Sequence, residues 1–259
     1  MNSVLALAGV VIKELYRRKD FYVLFVMTAV ITLMMASVRF FNDNNIVRYL
    51  KDICLLLIWV SALVIAIVTT ARQLPAEREN RTIFPLLAKP VSRGQVIVGK
   101  FLGCWLASGI ALVVFYFFFM VVCGSREHFW PLALYLKGFW LQWVMLGIVA
   151  SLALLGSLVF AAPSSNSTIL FVIVGGILLL GGHLNRVALH EPEPLGTVLY
   201  TVYFLIPHLE WYNVRDMLVY NRDTLSWGPC ALATVYGAIY VAFVLTASWL
   251  VFRRKAVNV

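Results

Sequence analysis

The chain has 259 residues, 62% of them hydrophobic and 13% charged, with a formal net charge of +9 and a mean hydropathy of +0.88. A soluble domain carries about 25% charged residues, so this composition excludes an ordinary soluble fold. The apolar residues fall in span-length blocks, and an open strand edge cannot satisfy its backbone in lipid. The reading is an all-α membrane protein forming a single transmembrane domain, 1–259.

In chain order, residues 3–18 read as an amphipathic helix lying in the interface, with Leu5, Ala8, Ile12 and Leu15 facing lipid. Glu14 pairs with Arg18 one turn on. The apolar run Val4–Ile12 precedes its basic residues Lys13, Arg17, Arg18 and Lys19, the reverse of a signal peptide. A bilayer core takes roughly 20 apolar residues per helix. Six stretches qualify: Phe21–Val38, Ile53–Thr70, Phe101–Cys123, Phe139–Phe160, Thr168–Leu184 and Pro229–Phe252. A polar hairpin, Ala71–Lys100, joins the second to the third and carries eight charges and three prolines. The fourth and fifth are joined by the small loop Ala161–Ser167.

The longest connection, 185–228, precedes the last span. It contains Leu195–Ile206, an apolar run too short to span and ended by Pro207, which reads as a re-entrant or interfacial helix. Tyr200, Tyr203, Trp211, Tyr212 and Tyr220 supply an aromatic belt. Glu210, Arg215 and Asp216 are candidates for an outer gate, with mutual ion pairing as the plainer alternative.

Six spans put both termini on one side. The segments on that side hold 13 Lys and Arg against 4 acids, and the opposite loops hold 8 against 8. Lys and Arg beside span ends mark the cytoplasmic face. The same distribution explains the basic charge by topology and anionic headgroups, not by nucleic acid. Cys54, Cys104, Cys123 and Cys230 lie in or beside spans and read as buried thiols. The His183, His190 and His208 spacings match no metal-ligand motif, and no catalytic constellation is visible. No carboxylate lies inside a predicted span, which favours an external energy source over proton coupling.

The hairpin has chemistry of its own. Glu77, Arg78, Glu79 and Arg81 keep it out of the hydrocarbon. Thr82 suits the cap of a short helix, Ile83–Ala88, and Pro90 disfavours helical geometry at Lys89. That helix presents Ile83, Phe84, Leu86 and Leu87, which either bury against neighbouring span ends or fill a groove on another protein. Gly94–Phe101 imitates a phosphate-binding loop, but Phe101 stands where a hydroxyl is needed and no strand precedes it. Gly99 and Gly103 form a small-xxx-small pair for close helix packing, with Lys100 snorkelling to the headgroups.

These residues resemble the type-2 ABC exporter permease family. Its members carry E-x-E-x-x-T-(apolar)-x-x-L-L-x-x-P-(apolar)-S-R followed by G-K. Here the pattern reads Glu77, Glu79, Thr82, Ile83, Leu86, Leu87, Pro90, Val91, Ser92, Arg93, Gly99 and Lys100. Arg81 stands where many members have Gly. The layout of amphipathic helix, six spans and inner termini is similar too. A second stretch, Tyr203–Asp216, looks like a segment of bacterial members described only as permeases. The resemblance implies that Thr82–Ala88 is a coupling helix docking into a separate ATPase. Glu77 and Glu79 would orient it through salt bridges to Arg17 or Arg18, and Arg81, Phe84 and Arg93 would lie in the same contact. Ala161–Ser167 would add a lighter one. It also implies a bacterial cytoplasmic membrane protein that works beside a second permease copy or paralogue. Two ATPase subunits would carry the ATP and magnesium, and this chain would bind no cofactor or metal itself. The substrate would be lipid-like, peptide or otherwise amphipathic. A membrane anchor or sensor, whose ATPase drives assembly or signalling, fits the same residues as the alternative.

Overall fold

The computed structural model describes residues 2–17, 19–37, 46–79, 92–128, 130–160, 162–190, 195–220 and 226–254. Among them the regular structure is helical: α1 (Asn2–Arg17), α2 (Lys19–Ser37), α3 (Ile46–Glu79), α4 (Arg93–Glu127), α5 (Leu132–Val159), α6 (Pro163–His190), α7 (Leu195–Leu205), a 3-10 turn (Leu209–Tyr212), α8 (Arg215–Val219) and α9 (Trp227–Arg254). Within the described residues, five helices are long and apolar enough to cross a membrane: Val47–Glu77, Arg93–Glu127, Leu132–Val159, Pro163–Leu184 and Trp227–Arg254. The first expected span falls in α2, whose described apolar part, Phe21–Met35, is shorter; Val38 lies outside the described residues.

The helices outrun the predicted spans. α3 continues past Thr70, through Pro75, to Glu79. Thr69 and Thr70 tie their hydroxyls to carbonyls one turn back, at 2.6 and 2.7 Å, a local alternative to solvation that suits buried threonines. α4 starts at a capping box: Ser92 Oγ accepts the Gln95 N–H at 3.3 Å, and Gln95 Oε1 accepts the Ser92 N–H at 2.9 Å. It ends at His128, whose left-handed φ of 53° lets its N–H reach the Gly124 carbonyl.

α3 and α4 form an antiparallel hairpin closed at both ends by an ion pair. Lys51 donates to Glu127 Oε2 at 2.6 Å at one end, and Lys100 pairs with Glu77 at the other. α5 is apolar on every side, the pattern of a buried helix, and packs against α3, α4, α6 and α9. Two indoles lock α4 to α5. Trp105 Nε1 donates to the Trp143 carbonyl at 2.9 Å and Trp143 Nε1 to the Trp105 carbonyl at 3.2 Å, with the rings stacked 4.7 Å apart. Each indole lies against a glycine of the other helix, Trp143 on Gly109 and Trp105 on Gly147. α2 joins through Phe25 against Phe115 and a buried contact between the Thr28 and Ser61 hydroxyls.

α1 packs along α4, and Gly99 and Gly103 are where it does so. A Cβ on Gly99 would lie 3.0 Å from Leu7, and one on Gly103 2.7 Å from Val11. The expected close packing is therefore found. Two residues of the expected lipid-facing stripe differ: Ala8 is buried with Val11, because its small side chain lets Gly103 approach, and Ile12 is half-buried against the core. Leu5 is exposed. The side chain of Leu15 lies outside the described residues.

Candidate functional site

Where the hairpin 71–100 leaves the bundle, α1, α3 and α4 converge on a polar cluster. Lys100 is 5% exposed, pairs with Glu77, and donates to Gln73 Oε1 at 3.0 Å. Gln73 Nε2 reaches Glu14 Oε2 at 3.3 Å. Four side chains from three helices thus form one chain of charge-assisted bonds, stronger than neutral ones and favoured where water is scarce. Lys100 does not snorkel to the headgroups, as its place at a span end led us to expect. Carboxylate and amide acceptors inside the bundle hold it, and a buried ammonium needs such partners. Glu77, expected to reach Arg17 or Arg18, pairs with Lys100; Arg18 lies outside the described residues.

Arg93 starts α4 and ties it to the end of α9. Its Nη1 donates to the carbonyls of Phe252 at 2.9 Å and Arg253 at 3.2 Å, and its guanidinium lies 5.5 Å from the Phe252 ring centre. The last carbonyls of a helix lack intrahelical donors and carry its negative dipole end, so a guanidinium is well placed there. Of the remaining coupling candidates, Arg81, Thr82, Ile83, Phe84, Leu86, Leu87 and Pro90 lie outside the described residues, as do Arg18 and the side chain of Glu79. Arg17 closes α1 and is exposed. Most of the expected loop Ala161–Ser167 belongs instead to the start of α6, where Asn166 is buried and its Nδ2 donates to the Ala153 carbonyl at 3.0 Å, which holds α6 to α5.

The candidates for an outer gate sit at the opposite end. Arg215 Nε lies 3.1 Å from Asp52 Oδ1 of α3, so its described ion pair is with a span rather than with Glu210 or Asp216. Glu210 Oε1 accepts the Tyr203 hydroxyl at 2.9 Å. Burial first, then that hydrogen bond, pushes the Tyr203 phenol up to about 12, so it remains a donor across the physiological range. Asp216 is exposed. Tyr212, expected in an aromatic belt, is buried instead: its hydroxyl donates to the Ala233 carbonyl at 2.8 Å against Gly237, pinning the outer segment to α9. His208 packs between Tyr203, Trp211 and Tyr236.

Glu210 and Arg215 share a cavity of about 270 Å³ with Trp59, Tyr116, Gln142 and several leucines. Sequence reasoning missed this cavity and the Lys51–Glu127 pair. The pair depends on which turn of α3 faces which turn of α4, the cavity on how those helices meet α5, α6 and residues 210–218, and no local motif carries either.

Comparison with curated proteins returns no match. The profile described as ABC-2 family transporter protein matches residues 19–257, and among the described residues five helices are long and apolar enough to cross a membrane. The match runs through the helices that carry Glu77, Lys100 and the outer cavity. The chain belongs to the ABC-2 transporter family, as a multi-pass membrane component of an ABC transporter.

Proposed function

We propose that this chain is the permease subunit of an ATP-driven exporter, dimeric in the membrane, with two separate ATPase subunits on the cytoplasmic side. Both termini and the 80–91 segment lie on that side, a placement supported by the distribution of Lys and Arg. α2 is the sixth span, packed on α3 and α4. ATP and magnesium belong to the ATPase, and Thr82–Ala88 is the helix that docks into it.

One observation carries the reading. Lys100, Glu77, Gln73 and Glu14 bind α1, α3 and α4 together at the base of the 80–91 segment. A docked ATPase that moves this segment pushes on three joined helices, two of which, α3 and α4, reach the far ion pair of Lys51 and Glu127. The segment then acts as a lever rather than a loose loop. Among the five long helices, α6 and α9 are the least buried, at 17% each, which leaves faces for a second permease copy.

The test is reconstitution. The chain is co-expressed with an ATPase encoded beside it, and the purified complex is placed in liposomes. ATP turnover accompanied by movement of lipid, peptide or another amphiphile supports export. Turnover without movement assigns the complex to assembly or signalling instead.

A further inference from the structure

The outer cavity is built for a ligand that is part polar and part apolar. α3 and α6 contribute Leu55, Leu56, Trp59, Leu178 and Leu179, while α5 and the outer segment contribute Gln142, Glu210, Asn213 and Arg215. Two of the leucines mark its mouth: Leu56 is 41% exposed and Leu179 83% exposed, on helices that have the length and hydropathy of spans. The cavity therefore opens sideways between α3 and α6, where lipid chains would lie.

Three of the residues that line it carry polar atoms left without a hydrogen bond among the described residues. Gln142 is 5% exposed, and its Oε1 accepts the Tyr116 hydroxyl at 2.8 Å, yet its Nε2 has no partner. Trp59 Nε1 and Glu210 Oε2 are buried and unpartnered as well. Orphaned buried polar atoms are rare in native proteins and mark the place of a missing water or ligand. The charges are of both signs: a carboxylate on Glu210, and on Arg215 a guanidinium whose Nε faces Asp52. Whole drug-sized ligands occupy roughly 300–1,000 Å³, so about 270 Å³ suits a headgroup whose chains stay outside.

We propose that this cavity binds the headgroup of a zwitterionic amphiphile taken from the membrane. Its ammonium lies at Glu210, its anionic group lies at Arg215 and Asn213, and its chains leave over Leu56 and Leu179 into lipid. The proposed sidedness makes this the outer leaflet. The binding itself needs no ATPase, so it stands or fails apart from the reconstitution experiment.

The experiment uses the purified full-length chain in detergent, with ligand binding read by native mass spectrometry and by the shift in unfolding midpoint. The probes are lysophosphatidylethanolamine, lysophosphatidylglycerol and monoacylglycerol of one chain length, together with soluble glycerophosphoethanolamine. A charge-assisted hydrogen bond discriminates by about 10-fold or more, so the ethanolamine amphiphile should bind at least about 10-fold tighter than the glycerol ones. Glu210→Gln keeps an acceptor for Tyr203 and should erase that preference. Leu179→Trp, at a site exposed to lipid, should block the mouth and abolish binding without shifting the ligand-free midpoint. Equal binding of all three amphiphiles, or binding of none, overturns the proposal. Glycerophosphoethanolamine binding as tightly as its acylated form also overturns it, because the site would then take a soluble zwitterion.

Discussion

Replacing Gly109 with Ala drives a methyl group into the Trp143 indole. The added Cβ lies 2.4 Å from Trp143 Nε1 and 2.8 Å from Cε2, against ordinary contacts of 3.4 Å or more, so the ring has to retreat by roughly 1 Å. It has little freedom to do so, being stacked on Trp105 at 4.7 Å and bonded to the Trp105 carbonyl at 3.2 Å. Overpacking of this kind costs about 1–3 kcal/mol, and losing the hydrogen bond costs about 1 kcal/mol. Alanine recovers about 1 kcal/mol of helix propensity, leaving a net loss of about 1–3 kcal/mol. At about 2–4 °C per kcal/mol for a chain of this size, the unfolding midpoint in detergent should fall by roughly 2–12 °C. Gly175 supplies the control, since no described residue lies within 4 Å of a Cβ there and Gly175→Ala should lose nothing. Combining Gly109→Ala with Trp143→Leu should cost clearly less than the two single losses added together, because the clash is shared. A Gly109→Ala variant that unfolds at or above the parent midpoint refutes the clamp.

Lys51 is fully buried and paired with Glu127. Lys51→Met should therefore cost about 3–5 kcal/mol, and Lys51→Met with Glu127→Leu should recover most of it in the same melt. Arg93→Ala releases the Phe252 and Arg253 carbonyls, so hydrogen exchange should speed up in the last turn of α9 and stay unchanged in the middle of that helix. All four cysteines are buried, which keeps background labelling low. A membrane-impermeant maleimide should then reach cysteines introduced at Arg17 and Arg253 from the same face, and one introduced at Trp227 only from the opposite face. Labelling of all three from one face contradicts the topology.

Much of this molecule was legible because lipid imposes simple demands on a sequence. The apolar blocks locate the long helices, and the pair Gly99 and Gly103 correctly marks a close helix contact. The ends of the helices were less legible. Pro75 and the charges after Thr70 look like the start of a loop, yet α3 continues to Glu79 because buried threonines and Gln73 find partners within the bundle. Lys100 looks like a headgroup anchor until α3 supplies Glu77. The clamp is written as the same W-x-x-x-G spacing at Trp105–Gly109 and Trp143–Gly147, but only the antiparallel register of α4 and α5 brings each indole onto the other's glycine. The outer cavity was illegible for the same reason: its walls come from four spans and the outer segment, and only the tertiary fold brings them together.

The central claim is that a separate ATPase drives this permease through the 80–91 segment. Its most direct test is co-purification of the ATPase with Leu86→Asp and Leu87→Asp variants, with membrane insertion of each variant followed in parallel. The account predicts normal insertion and loss of the ATPase, because a carboxylate at the docking face removes apolar contact and buries an unpaired charge. Unchanged co-purification of the ATPase with both variants contradicts it.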